Sequence, residues 1–150
     1  MEQITTMLKR VTNLTYGIAE ELKKDPVRPN ITPSMRIGKN KDIFYELSDE
    51  GNIDAVVCVT YTNDVPTAES NLFDMPGNDI AIFYSVWSNR AGAGRKIIFD
   101  AVNVISKESR DVQRYVTLSP KTQMAERFHT RNGATVFKTN EDTVNYEYLK

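Results

Sequence analysis

VWSNRAGAGRKIIFDAV, residues 86–102, passes from strand-forming residues through two glycines into a run with helical spacing. Placing Gly92 and Gly94 at such a junction gives up side chains and lets another group approach the main chain. The flanks agree. Upstream, IAIFYSVW (80–87) is apolar or aromatic at nearly every position, which suits a central strand covered on both faces. Downstream, Ile97, Ile98, Ala101, Val102 and Ile105 recur at helical spacing, and RYVTL (114–118) reads as a short strand. Strand, helix and strand together predict a right-handed parallel crossover.

Working outward, DIFYELS (42–48) and IDAVVCVTY (53–61) flank the turn-like DEGN and predict an antiparallel hairpin. The segment 61–79 is too rich in Pro, Asn, Asp and Ser for a regular element. SPKTQMAERFHTRNG (119–133) predicts a second helix stopped by Gly133, and ATVFK and TVNYEYL two closing strands. At the start of the chain, Ile4, Met7, Leu8, Val11, Leu14, Ile18 and Leu22 form a helical stripe, expected as a docking helix. DPVRPNITP (25–33), with three prolines in nine residues, must be a connector. The order predicts an α/β fold: a mixed sheet flanked by helices, in one domain spanning residues 1–150.

Composition narrows the function. A 150-residue chain, 40% hydrophobic and 26% charged, is ordinary for a globular domain. A net charge of −1 gives no general attraction to nucleic acid or acidic membranes. The single cysteine, Cys58, lies in the apolar run AVVCV, which fits a small buried hydrophobe in a reducing compartment. No apolar run approaches the roughly 20 residues that span a bilayer, and a cytoplasmic location is expected. Oligomeric state is open; a homodimer is compatible.

In Asn89, Arg90, Ala91, Gly92, Ala93, Gly94 and Arg95, main-chain amides can turn inward where a helix offers unpaired N–H groups and the positive end of its dipole. Arg90, Arg95 and Lys96 add cations, so the turn is a candidate anion site; a tight turn with solvated charges is the plainer reading. A Walker-type loop needs Gly-Lys followed by Ser or Thr, and here Gly94 precedes Arg95, Lys96 and Ile97. A dinucleotide fingerprint needs a third glycine, where Ile97 stands.

The pattern resembles the GNAT superfamily of acyl-CoA-dependent N-acetyltransferases. Their diphosphate loop reads Gln/Arg-x-x-Gly-x-Gly/Ala, and residues 89–94 match both small positions, with Asn89 at the first. The later family helix often reads Asn-x-x-Ala-x-x-x-Tyr-x-x-x-Gly-Phe. Here Ala125 and Gly133 fall in register, with Thr122, His129 and Ala134 at the altered positions. The resemblance covers about residues 40–150.

It implies a fold in which two parallel central strands splay and the pantetheine arm of acetyl-CoA enters the gap. Val86, Trp87 and Ser88 would line that edge, residues 89–95 would hold the diphosphate, and Thr122 would face the pantetheine. A main-chain N–H near Val86 would polarise the thioester carbonyl. His129 would donate a proton to the departing sulfur, an acid role expected to fade across neutral pH; its place in a last helical turn also suits a purely structural imidazolium.

The acceptor amine needs a base. Residues 61–79 hold Asp64, Glu69, Asp74 and Asp79 and no Lys or Arg, whereas 89–131 holds nine basic and four acidic residues, so an acidic side could draw the amine. Glu69 and Asp79 are the candidate bases. The expected reaction is direct acetyl transfer to an amine, without metal. The alternative is an inactive acyl-CoA-binding or partner-recognition module.

Overall fold

The computed structural model describes residues 5–108 and 111–149. Eight strands form one sheet: β1 (Thr6–Arg10), β2 (Lys41–Ser48), β3 (Ile53–Thr62), β4 (Ile80–Ser88), β5 (Arg114–Thr117), β6 (Ser119–Pro120), β7 (Thr135–Thr139) and β8 (Thr143–Tyr148). Their order is β1-β2-β3-β4-β5-β8-β6, with β7 on the other side of β8. Only β4 and β5 pair in parallel, as the crossover predicts, and α2 (Ala93–Glu108) links them. The helices α1 (Tyr16–Leu22) and α3 (Gln123–Arg131) complete the set. No helix among the described residues is long and apolar enough to cross a membrane.

β3 and β4 are buried on both faces, which explains their unbroken apolar sequences. On one face Phe44, Val57, Phe83, Ile97, Ile98 and Ile105 pack beneath α2. On the other, Leu22, Ile43, Val56, Ile82, Tyr84 and Trp87 pack under α1 and the loops.

The expected docking helix is a correction. Ile4 lies outside the described residues; Thr6–Arg10 is an edge strand, antiparallel to β2 from Thr6↔Ser48 to Arg10↔Phe44. Leu8 faces the core while Met7 is 60% exposed, a period of two hidden within the helical stripe. The helix begins only after Thr15, whose hydroxyl accepts from Ile18 N at 3.3 Å, an N-cap that breaks the stripe in two.

The proline-rich connector is held by one side chain. Arg36 is fully buried, its Nη1 donating to Asp25 Oδ2 at 2.7 Å and its Nη2 to the carbonyls of Arg28 (2.7 Å) and Ile31 (2.9 Å). Asp25 Oδ1 also accepts from the amides of Val27 and Arg28. Arg28 Nη2 then donates to Leu118 O at 2.9 Å, pinning the connector to the end of β5.

Candidate functional site

β4 and β5 pair only from Ile80↔Arg114 to Phe83↔Thr117. Leu118 N still reaches Phe83 O at 3.0 Å; beyond it the strands part. Opposite, the register of β4 against β3 shifts between Val59↔Phe83 and Cys58↔Ser85, so Tyr84 is an extra residue in the ladder. Such a bulge bends the strand that carries it. The bend opens a cleft of about 570 Å³ between the Tyr84–Ser88 stretch and Leu118, Ser119 and Pro120. Pro26 and Val27 of the connector form one lip, and Thr122, Met124, Ala125, Phe128 and His129 of α3 another.

Asn89 N donates to Asp54 O on β3 at 2.8 Å. Main-chain groups alternate along a strand, so counting back from Asn89 turns those of Ser88 and Val86 toward the cleft, off the β3 ladder. The Trp87 ring lies on the opposite face, where Nε1 donates to buried Glu21 Oε2 at 3.0 Å.

Gly92 adopts φ +83, the left-handed conformation that turns the chain into α2. The first i→i−4 bond of α2 outside its own residues is Lys96 N to Gly92 O, which leaves the Gly94 and Arg95 amides in the unpaired first turn. Gly94 lines the cleft, and a Cβ there would meet the Phe128 ring at 3.3 Å and Ser88 Oγ at 3.7 Å. Glycine thus lets α3 and the turn close on one another. Ala91 and Gly92 are exposed, and Ala93 is buried.

The side chains of the turn are committed elsewhere. Asn89 Nδ2 donates to Glu21 Oε2 and Ile53 O, and Arg90 Nη1 lies 3.5 Å from Asp54 Oδ2. Arg95 Nη1 donates to Asn132 Oδ1 at 3.0 Å, with its guanidinium over the Phe99 ring. Lys96 pairs with Glu46 and Asp100. Main-chain donors and the helix end, more than these cations, make the turn attractive to an anion.

His129 lines the cleft yet is only 4% exposed. Its ring stacks on Tyr146, with centroids 5.0 Å apart and planes at 26°, and its Nδ1 lies 2.7 Å from Tyr148 Oη. Burial pushes its pKa down to about 4, outweighing the helix end that favours the charged form. The imidazole is therefore neutral at neutral pH, and the expected fading of an acid role across that range is corrected. Thr122 caps α3, its Oγ1 accepting from Ala125 N at 3.2 Å.

The two carboxylates fall apart. Glu69 approaches Arg28 Nε at 3.4 Å, on the connector behind Pro26 and Val27. Asp79 is exposed at the start of β4, four residues and about 13 Å along the strand from Phe83. Neither lines the cleft. Sequence reasoning missed Tyr148, Asn132 and Glu21. Alternation within TVNYEY puts Val144, Tyr146 and Tyr148 on one face, a signal that could have found the first.

No protein-family model matches the sequence, and no curated protein matches it. Solved structures do. Malonyl-CoA decarboxylase from Cupriavidus metallidurans aligns with TM-score 0.74 at 14% identity over 96% of this chain, which spans 60% of that one. The N-acetyltransferase PseH from Campylobacter jejuni, in complex with acetyl coenzyme A, aligns with TM-score 0.63 at 16% identity over 97% of this chain and 99% of that one. A GNAT-family acetyltransferase structure from Desulfovibrio desulfuricans aligns with TM-score 0.64 at 10% identity over 96% and 98%. The likeness extends over nearly the whole of this chain, which has the GNAT acetyltransferase fold.

Proposed function

We propose that this protein is an N-acetyltransferase that moves an acetyl group from acetyl-CoA to an amine. The observation that carries the reading is the cleft where β4 leaves β5, which ends at the unpaired first-turn amides of α2. A diphosphate suits those amides, and an extended pantetheine arm suits a strand edge past the end of the β4–β5 pairing, where the main-chain groups of Val86 and Ser88 turn off the β3 ladder. The Val86 N–H is the donor for a thioester oxygen gaining charge during attack.

His129, neutral, donates a hydrogen bond to the sulfur as it leaves; Thr122 directs its hydroxyl proton to the arm while its oxygen caps α3. The lining residues include no carboxylate, so the amine loses its proton to water or, through water, to Glu69, which pairs with Arg28. A thiol-release assay with acetyl-CoA against a panel of amines, with calorimetry of CoA binding, tests the reading. Turnover of one amine class supports it. Absence of CoA binding overturns it.

The same acid-free lining favours a second reading. A 2-carboxyacyl thioester would hold its carboxylate in an apolar cleft, losing it as CO2 and gaining a proton at the α-carbon, a reaction that needs no amine base. CO2 release from malonyl-CoA without an amine separates the two.

A further inference from the structure

The His129–Tyr148 contact leads back to the glycine turn through a chain of groups whose donor and acceptor roles are not interchangeable. Arg95 can only donate, so its 3.0 Å bond from Nη1 fixes Asn132 with Oδ1 toward the guanidinium. The other end of that amide, Nδ2, is a donor; it is buried and closes no hydrogen bond of good geometry, and its nearness lowers the Tyr148 pKa against the larger rise from burial. Tyr148 Oη therefore has a donor on its Asn132 side and the His129 ring on the other, at 2.7 Å. Among the described residues, the acceptor at hydrogen-bond distance from that hydroxyl is His129 Nδ1.

We infer that Tyr148 donates to His129 Nδ1 and thereby places the imidazole proton on Nε2, the edge left for the cleft. A neutral imidazole carries one N–H, so a ring accepting at Nδ1 must donate at Nε2. Stacking on Tyr146 and the Phe128 ring at 5.0 Å hold the plane in which that N–H points. No partner within the described residues takes Nε2. Tyr148 is thus a positioning residue, with Asn132 and Arg95 behind it. Its catalytic meaning rests on the acyl-transfer reading, because only a bound thioester would give the Nε2 proton something to meet. The tautomer itself does not.

Both statements can be tested apart. His129 is the only histidine, so ring-nitrogen NMR of 15N-labelled protein reports it without ambiguity. At pH 7 we expect the proton on Nε2 and a bare Nδ1. Tyr148→Phe removes the constraint and should give a mixture of tautomers. Asn132→Asp supplies an acceptor for the Tyr148 proton and should move the ring proton to Nδ1.

In turnover, Tyr148→Phe should lower kcat about tenfold or more while KM for acetyl-CoA stays within about twofold, the signature of a transition-state contact. A wild-type ring protonated on Nδ1, or a tautomer indifferent to both substitutions, overturns the inference even if the enzyme acetylates amines. A ring protonated on Nε2 that responds to both substitutions upholds it, and if no amine then accepts acetyl, the acyl-transfer reading alone falls.

Discussion

Acidification should destabilise this protein through one side chain, and the amount follows from where His129 sits. In the unfolded chain its imidazole titrates near 6.5. Folded, 4% exposed and stacked on Tyr146, it is pushed down to about 4 because burial penalises the cation. The unfolded chain therefore binds the proton first as pH falls. Stability is fully present above 6.5, is lost progressively through the interval, and reaches its floor near pH 4. The full gap corresponds to about 3 kcal/mol, and the part between pH 7 and pH 5 to about 2 kcal/mol.

For a chain of this size that is a fall in Tm of about 4–8 °C. Glu46, whose carboxyl is pushed up by burial and then by Asp100, contributes with the opposite sign. The measurement is therefore a difference, urea unfolding of wild type and His129→Phe at pH 7 and pH 5. Phenylalanine strands the Tyr148 hydroxyl and costs stability at both pH values, but it has no proton to bind. The wild type should lose about 2 kcal/mol more than the variant between the two pH values. Equal losses, within about 0.5 kcal/mol, would show a solvated imidazole and refute the neutral-donor role as well as the burial argument.

Other outcomes follow from single contacts. Gly94→Val would press a branched side chain on the Phe128 ring and fill the inner end of the cleft, raising the Kd for CoA at least about tenfold by calorimetry. Asp25→Ala would leave Arg36 buried with its charge uncompensated; a loss of about 3–5 kcal/mol is expected in urea unfolding, with the double variant Asp25→Ala/Arg36→Met milder than the single carboxylate deletion. Glu21→Ala removes the acceptor of both Trp87 Nε1 and Asn89 Nδ2, costing about 2–4 kcal/mol and loosening the entrance to the turn.

How far the sequence could be read depended on whether one physical signal dominated each segment. The hairpin, the crossover and the closing strands were legible because apolar period, turn residues and length agree, and the observed β2, β3, β4 and α2 start within a few residues of the expected places. The later part of the first helical stripe did fold as α1, but Thr6–Arg10 was not legible, because Leu8, Val11, Leu14 and Ile18 satisfy a helical spacing while the short edge strand was fixed by something a single segment does not show, the free edge of β2. The cleft was half legible. Its glycine turn announced itself, but the bulge at Tyr84 that separates β4 from β5 leaves no composition signal, and the buried arginines of the connector look like any solvated cations.

The same limit explains what His129 became. Read along the helix, it is a residue in a last turn, and the dipole argues for an imidazolium. That argument is worth about 0.3–1 kcal/mol at an exposed end, whereas the burial penalty seen here is several times larger and has the opposite sign. What decides the contest lies on β8: Tyr146 and Tyr148 arrive from 17 and 19 residues downstream, one covering the ring and the other occupying its inner nitrogen. A side chain that would be a pH-sensitive acid on a bare helix is thereby converted into a pH-insensitive hydrogen-bond donor, and the residues responsible carry no motif because their task is to exclude water and hold a proton in place.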